Sequence, residues 1–211
     1  MKKILLILFV FTLFCLSTVY AQESVEQYLL NLQEPKAEDY VKLLYEGSHE
    51  SKLIAVAKLQ EMGAKDQEVI DALVFGLQQG TLFVKREAGR VINDYWDLRA
   101  ASANALGSIA DPSTLPHLHV ALRYDHDIHV KSSVATAIGK IGQSESVSEL
   151  TRVIEISSTS GSDDILIKAC VVALGEIGDK EGFVPLVEIM RGKYRRDIKL
   201  AARESLKKIH W

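Results

Sequence analysis

The chain has 211 residues, 47% of them hydrophobic, 25% charged and 7% aromatic, with four prolines and two cysteines. This balance excludes a disordered chain, a collagen and a disulfide-stapled mini-protein, and it fits one domain or one short repeat array. A net charge of −3 excludes a generic nucleic-acid binder.

Residues 1–21 read as a secretory signal peptide. Lys2 and Lys3 form a positive start, residues 4–16 are almost unbroken in apolar character, and Val19-Tyr20-Ala21 supplies short side chains for cleavage after Ala21. The apolar run is shorter than the roughly 20 residues that span a bilayer, which weighs against a retained anchor. The bulky Phe14 weighs against lipid attachment at Cys15. Cleavage would leave 190 residues, 23 basic and 28 acidic, with Cys170 as the one cysteine and so no internal disulfide. The expected location is the bacterial periplasm or cell exterior, and the mature chain is not expected to be an integral membrane protein.

Residues 22–47 hold two predicted helices, 24–32 and 37–45, the first suited to cap the apolar end of a helical stack. From residue 48 a repeat begins. Leu59, Leu106, Ile138, Leu174 and Leu206 anchor five copies, separated by 47, 32, 36 and 32 residues. A step in the thirties is the length of one helical hairpin. Within the third copy Val130, Val134, Ala137, Ile138 and Ile141 form a helical stripe that no strand would show. Glycine inside a helix costs about 1 kcal/mol against alanine, so its return at 107, 139 and 175 predicts close helix packing.

Shorter helices are expected at 66–79, 112–122, 146–156 and 181–190. Pro116 and Pro185 fall in first turns, where a missing N–H costs little. No period-2 run and no hairpin dipeptide is present, so β-structure is not expected. The step of 36 follows from the Ser-rich loop at 157–162. The step of 47 points to an insertion near 80–96.

Ala105-Leu106-Gly107-Ser108-Ile109-Ala110-Asp111-Pro112 and Ala173-Leu174-Gly175-Glu176-Ile177-Gly178-Asp179 are the best copies of a recurring motif. With an apolar–basic pair seven or eight residues before the motif's leucine, they resemble HEAT repeats, and more narrowly the phycobilisome-lyase type, over about residues 48–211. The resemblance implies an all-α fold, a right-handed α-α superhelix of about five helical hairpins whose second helices line a concave binding surface. It also implies a ladder in which Lys52, Arg99, Lys131 and Lys199 each face an acid of the preceding turn, with Ile167 breaking the series.

Chemistry is not expected. Di-iron hydroxylases of this fold carry several His-Glu pairs, because two irons need many ligands; this chain has one, His49-Glu50. His117, His119, His126 and His129 lie within 13 residues, beside Asp125 and Asp127, but His117 and His119 are two apart on a predicted helix and point to different sides. No Gly-rich phosphate loop or nucleophile elbow is present. Cys170 sits on an inward stripe and reads as a small buried hydrophobe. The chain is therefore read as non-enzymatic, with no cofactor and no metal.

Partner binding is the expected role. In the insertion, Lys85, Arg86, Arg90, Tyr95 and Trp96 combine aromatic and cationic groups typical of binding hot spots, although Phe83 and Trp96 would also serve to pack the loop down. On the concave face, Asn104, Thr136, Lys140 and Glu176 are the exposed positions expected to touch a partner protein. Charge is uneven: residues 22–80 hold 11 acids and 5 bases, and residues 191–211 hold 8 bases and 2 acids. Two alternatives stand beside a protein scaffold: a metal-dependent enzyme using the His-rich turn, and an envelope-binding module using the basic C-terminal end.

Overall fold

A computed structural model describes residues 35–211; residues 1–34, including the signal peptide and the 24–32 helix read from the sequence, lie outside the described residues. Among the described residues ten α-helices pair into five hairpins: α1 (Ala37–Glu46) with α2 (His49–Met62), α3 (Gln67–Leu77) with α4 (Trp96–Ile109), α5 (Leu115–Tyr124) with α6 (Ile128–Ile141), α7 (Val147–Ile156) with α8 (Asp164–Ile177), and α9 (Phe183–Arg191) with α10 (Arg196–Leu206). The fold is all-α, a superhelix of stacked hairpins. The expected stripes are its core: Leu98, Leu106, Val130, Val134, Ile138, Cys170 and Leu174 are buried on the second helices, and Leu115, Leu118, Leu122 and Leu150 on the first.

The motif residues each have a local task. The second helices α2, α4, α6 and α8 end on a left-handed residue: Gly63, Ala110, Gly142 and Gly178. Glycine reaches that conformation without steric cost, whereas Ala110, at φ 59°, adopts it with a Cβ. The acid that follows then starts the next turn. Asp111 Oδ1 accepts from Ser113 N at 2.8 Å and Asp179 Oδ1 from Glu181 N at 2.8 Å, each nucleating a short 3-10 turn before the next helix.

The motif glycines set the spacing between neighbouring second helices. A Cβ on Gly107 would stand 2.6 Å from the Ala137 Cα, one on Gly139 2.7 Å from the Ala173 Cα, and one on Gly175 2.7 Å from the Ser205 Cα. Each glycine thus lets the next second helix approach to backbone contact.

One expectation fails. The segment between α3 and α4 contains a small antiparallel hairpin, β1 (Arg86–Glu87) with β2 (Arg90–Val91), in register Arg86 opposite Val91. Its turn, Ala88-Gly89, has positive φ at both residues, 47° and 80°, the twist that suits a two-residue hairpin. Ala-Gly takes the place of the usual Asn-Gly, and strands of two residues are too short to show alternation.

Candidate functional site

The segment between α3 and α4 is tied down by polar groups. Asn93 is buried; its Nδ2 donates to Phe83 O at 2.8 Å and Gln79 Oε1 at 3.1 Å, and its Oδ1 accepts from Lys85 N at 2.8 Å. Phe83 packs on Phe75 with centroids 4.9 Å apart, and Phe75 packs on Tyr45 at 4.8 Å. Above this base Lys85, Arg86 and Arg90 are exposed.

Arg99 holds the ladder's basic position on α4. Its side chain is fully buried. Nε donates to Asp125 Oδ2 at 2.7 Å and Nη2 to Asp125 Oδ1 at 3.2 Å; Nη1 donates to Asp94 Oδ1 at 2.6 Å and Gln79 O at 2.9 Å. Burial alone would lower the Arg99 pKa, but Asp125 and Asp94 outweigh it and hold the guanidinium above its ordinary value. This network joins the segment after α3, α4 and the turn between α5 and α6.

The base–acid ladder implied by the resemblance holds at Arg99 and changes elsewhere. Lys52 Nζ donates to Leu44 O at 2.5 Å and Tyr45 O at 2.8 Å, and Lys131 Nζ to Arg123 O at 3.4 Å. Both therefore reach the C-terminal carbonyls of the first helix of their own hairpin, the negative end of its dipole. Lys199 is half-buried, and Ile167 is fully buried while its neighbour Lys168 pairs with Asp197 at 3.5 Å.

A shallow groove of about 410 Å³ crosses α4, α6 and α8. Trp96 and Asn104 of α4, His129, Ser132, Ser133 and Thr136 of α6, and Ile165, Lys168, Ala169 and Val172 of α8 line it, with Ala100. Trp96 is 49% exposed and tilts against His129 at 5.7 Å. Asn104 Nδ2 approaches Ser133 Oγ at 3.5 Å.

The nine residues picked from the sequence thus divide. Trp96, Asn104 and Thr136 share this groove. Tyr95 stacks on His49 at 4.1 Å, and His49 Nε2 meets Asp97 Oδ1 at 2.8 Å. Lys85, Arg86 and Arg90 sit on the hairpin segment, Lys140 is exposed on α6 outside the groove lining, and Glu176 pairs with Lys208 at 2.5 Å. Ile165 and Val172 were missed because every position from 165 to 174 except Lys168 is apolar or small, which hides which side faces outward.

The four histidines of the His-rich stretch go to different places. His119 meets Ser146 Oγ at 2.9 Å, His126 meets Asp94 Oδ2 at 3.1 Å, His129 faces Trp96, and His117 lines a small cleft with Leu82 and Tyr124. Among the described residues no group of three or more His, Cys, Asp or Glu side chains converges as metal ligands do. Cys170 is fully buried, and burial pushes its thiol up to about 12. At the C-terminal end several cations are internally paired: Arg195 with Asp164 and Asp197, and Lys207 with Glu204. No helix of the described residues is long and apolar enough to cross a membrane.

With five stacked hairpins and a glycine-spaced row of second helices, the chain is a HEAT-like repeat protein. The family model described as HEAT repeats matches residues 89–160. A HEAT repeat-containing taxis protein of Halobacterium salinarum is 30% identical over 120 residues, 54% of this chain; the chain spans 29% of the length of that relative. The solved complex of CpcE and CpcF of phycocyanin lyase from Nostoc sp. PCC7120 shares the fold at a TM-score of 0.67 and 17% identity, over 85% of this chain and 66% of the other.

Proposed function

We propose that this chain is a non-enzymatic interaction module that holds a segment of a partner protein in the groove across α4, α6 and α8. HEAT repeats support an interaction solenoid in general. The observation that carries the specific reading is the groove lining. Trp96 stands exposed at one end and Ile165 and Val172 at the other, while Ala100, Ser132, Ser133 and Ala169 keep the floor between them low enough for a partner backbone to approach. Covering a large apolar side chain contributes about 1.5–3 kcal/mol, and tryptophan is enriched among hot-spot residues. Asn104 and Thr136 add donors and acceptors on the same walls. Export through the signal read at residues 1–21 would place this binding in the periplasm or outside the cell.

The test is in-cell crosslinking and co-purification with the full chain, beside Trp96→Ala and Val172→Asp. The expected result is one stoichiometric partner that both substitutions lose while the thermal midpoint is kept. No stoichiometric partner, or one retained by both variants, refutes the groove as the binding surface.

A further inference from the structure

A second surface lies away from that groove, between the loops of the third and fourth hairpins. Here a cavity of about 320 Å³ opens between the turn after α5 and the Ser-rich loop after α7. Its bed is apolar, with Leu122, Ile128, Val153 and Leu166. Its mouth carries Tyr124 and Ile156, 74% and 75% exposed. Tyr45, seven residues before Lys52, leans on the Phe75 ring; Tyr124, equally seven before Lys131, leaves its ring exposed, with its hydroxyl near the Arg123 guanidinium.

The rim is cationic. Arg123, Lys131 and Arg152 line it, against Glu149 and Asp163. Glu149 is committed to the Arg123 guanidinium, and Asp163 Oδ2 accepts from Ser158 N of its own loop at 2.7 Å. Neither acid forms an ion pair with the Lys131 ammonium or the Arg152 guanidinium, although the Arg152 charge helps hold the Glu149 carboxyl low. An apolar bed with an excess of positive charge is complementary to one chemistry: a carboxylate next to a large apolar side chain. The exposed tyrosine beside arginine is the composition of a protein-binding hot spot.

We propose that this cavity is a second docking site, taking an extended segment of a protein partner with an acidic residue between Lys131 and Arg152 and an apolar neighbour in the bed formed by Leu122, Val153 and Leu166. Tyr124 and Ile156 then close over the flanking residues. This site is independent of the groove across α4, α6 and α8.

The experiment is selection of a phage-displayed random heptapeptide library on the full chain, with Lys131→Gln/Arg152→Gln and Trp96→Ala as parallel baits. The expected result is an enriched set with Asp or Glu one or two places from a large apolar residue. Its recovery should fall at least about tenfold on the double variant, the scale of a lost charge-assisted hydrogen bond, and stay unchanged on Trp96→Ala. Lys131 and Arg152 are rim residues, and an unchanged thermal midpoint confirms that the double variant is folded. Enrichment without an acidic bias, recovery unaffected by the double variant, or no enrichment overturns the proposal. A set lost on Trp96→Ala alone supports the groove and overturns this second site.

Discussion

Gly139 lies against Ala173 so closely that a Cβ on residue 139 would stand 2.7 Å from the Ala173 Cα. The contact is with backbone, so no side-chain rotation relieves it. The neighbouring rungs, Gly107 on Ala137 and Gly175 on Ser205, repeat the arrangement, and the row of second helices that carries the groove takes its spacing from them.

Gly139→Ala is expected to lower stability although alanine favours helix. The overpacking cost, about 1–3 kcal/mol, exceeds the gain of about 1 kcal/mol in helix propensity at the upper part of its range. The thermal midpoint should fall by about 2–4 °C for each kcal/mol. Adding Ala173→Gly should recover part of the loss, and calorimetry of the single and double variants measures it.

Arg99→Met is expected to cost about 3–5 kcal/mol, because it leaves the buried Asp125 carboxylate without its partner. Urea unfolding of the variant at pH 7 measures this. A stability change under about 1 kcal/mol would show that water replaces the guanidinium at no cost.

Acid should act on the same network through Asp94. Burial pushes its carboxyl up, and Arg99 and His126 outweigh that to hold it below the usual carboxylate range. A lowered folded pKa contributes stability that is present above the ordinary value of 3.8 and lost as pH falls through the folded one. Asp94→Asn should therefore be less stable than the natural chain at pH 7, and the difference should shrink below about pH 4. Urea midpoints at pH 7 and pH 3 compare them.

Lys52 predicts a slope of the same sign at high pH. Burial, joined by the nearby Lys85 charge, brings its pKa down from 10.5 to about 8. Above pH 8 the folded chain releases this proton while the unfolded chain keeps it to 10.5, so stability rises across that window, by on the order of 3 kcal/mol at most. Lys52→Met should remove this rise. Unfolding free energies at pH 7.5 and 9.5 for both chains test it, with all other titrating groups common to the two.

Cys170 should be inert in the folded chain. Its thiol is fully buried and held near 12, so almost no thiolate exists at neutral pH. Reaction with a disulfide reagent should proceed only at the rate of unfolding and accelerate in denaturant.

The hairpins were legible in the sequence because burial in a repeat is periodic. Leu106, Ile138 and Leu174 recur at matched positions on their helices, and the glycine beside each marks its closest contact. The interior of the segment after α3 was not legible, since it has no period. Asn93 bonds Gln79 across 14 residues, and Arg99 bonds Asp125 across 26. Nothing local distinguishes Arg99 from Lys131, yet one is buried in a carboxylate pair and the other lies at the rim of a cavity. The groove was half legible for a related reason. Asn104 and Thr136 stand out as polar residues between apolar ones, whereas Val172 on the apolar α8 reads as core and is exposed.

The glycine row does not extend to α2, where Gln60 holds the corresponding place. A small void of about 40 Å³, lined by Leu59, Gln60, Ala105 and Ser108 among others, lies where α2 meets α4. Tension applied along the stack is expected to open this joint before the glycine-spaced ones. The first hairpin is joined to the rest by buried Leu44, Val56 and Leu59, by Tyr45 on Phe75 and by His49 with Asp97, without the backbone contact that the later second helices make at Gly107, Gly139 and Gly175. The joint between α2 and α4 is therefore the expected first point of yielding, and the groove draws none of its lining from α1 or α2.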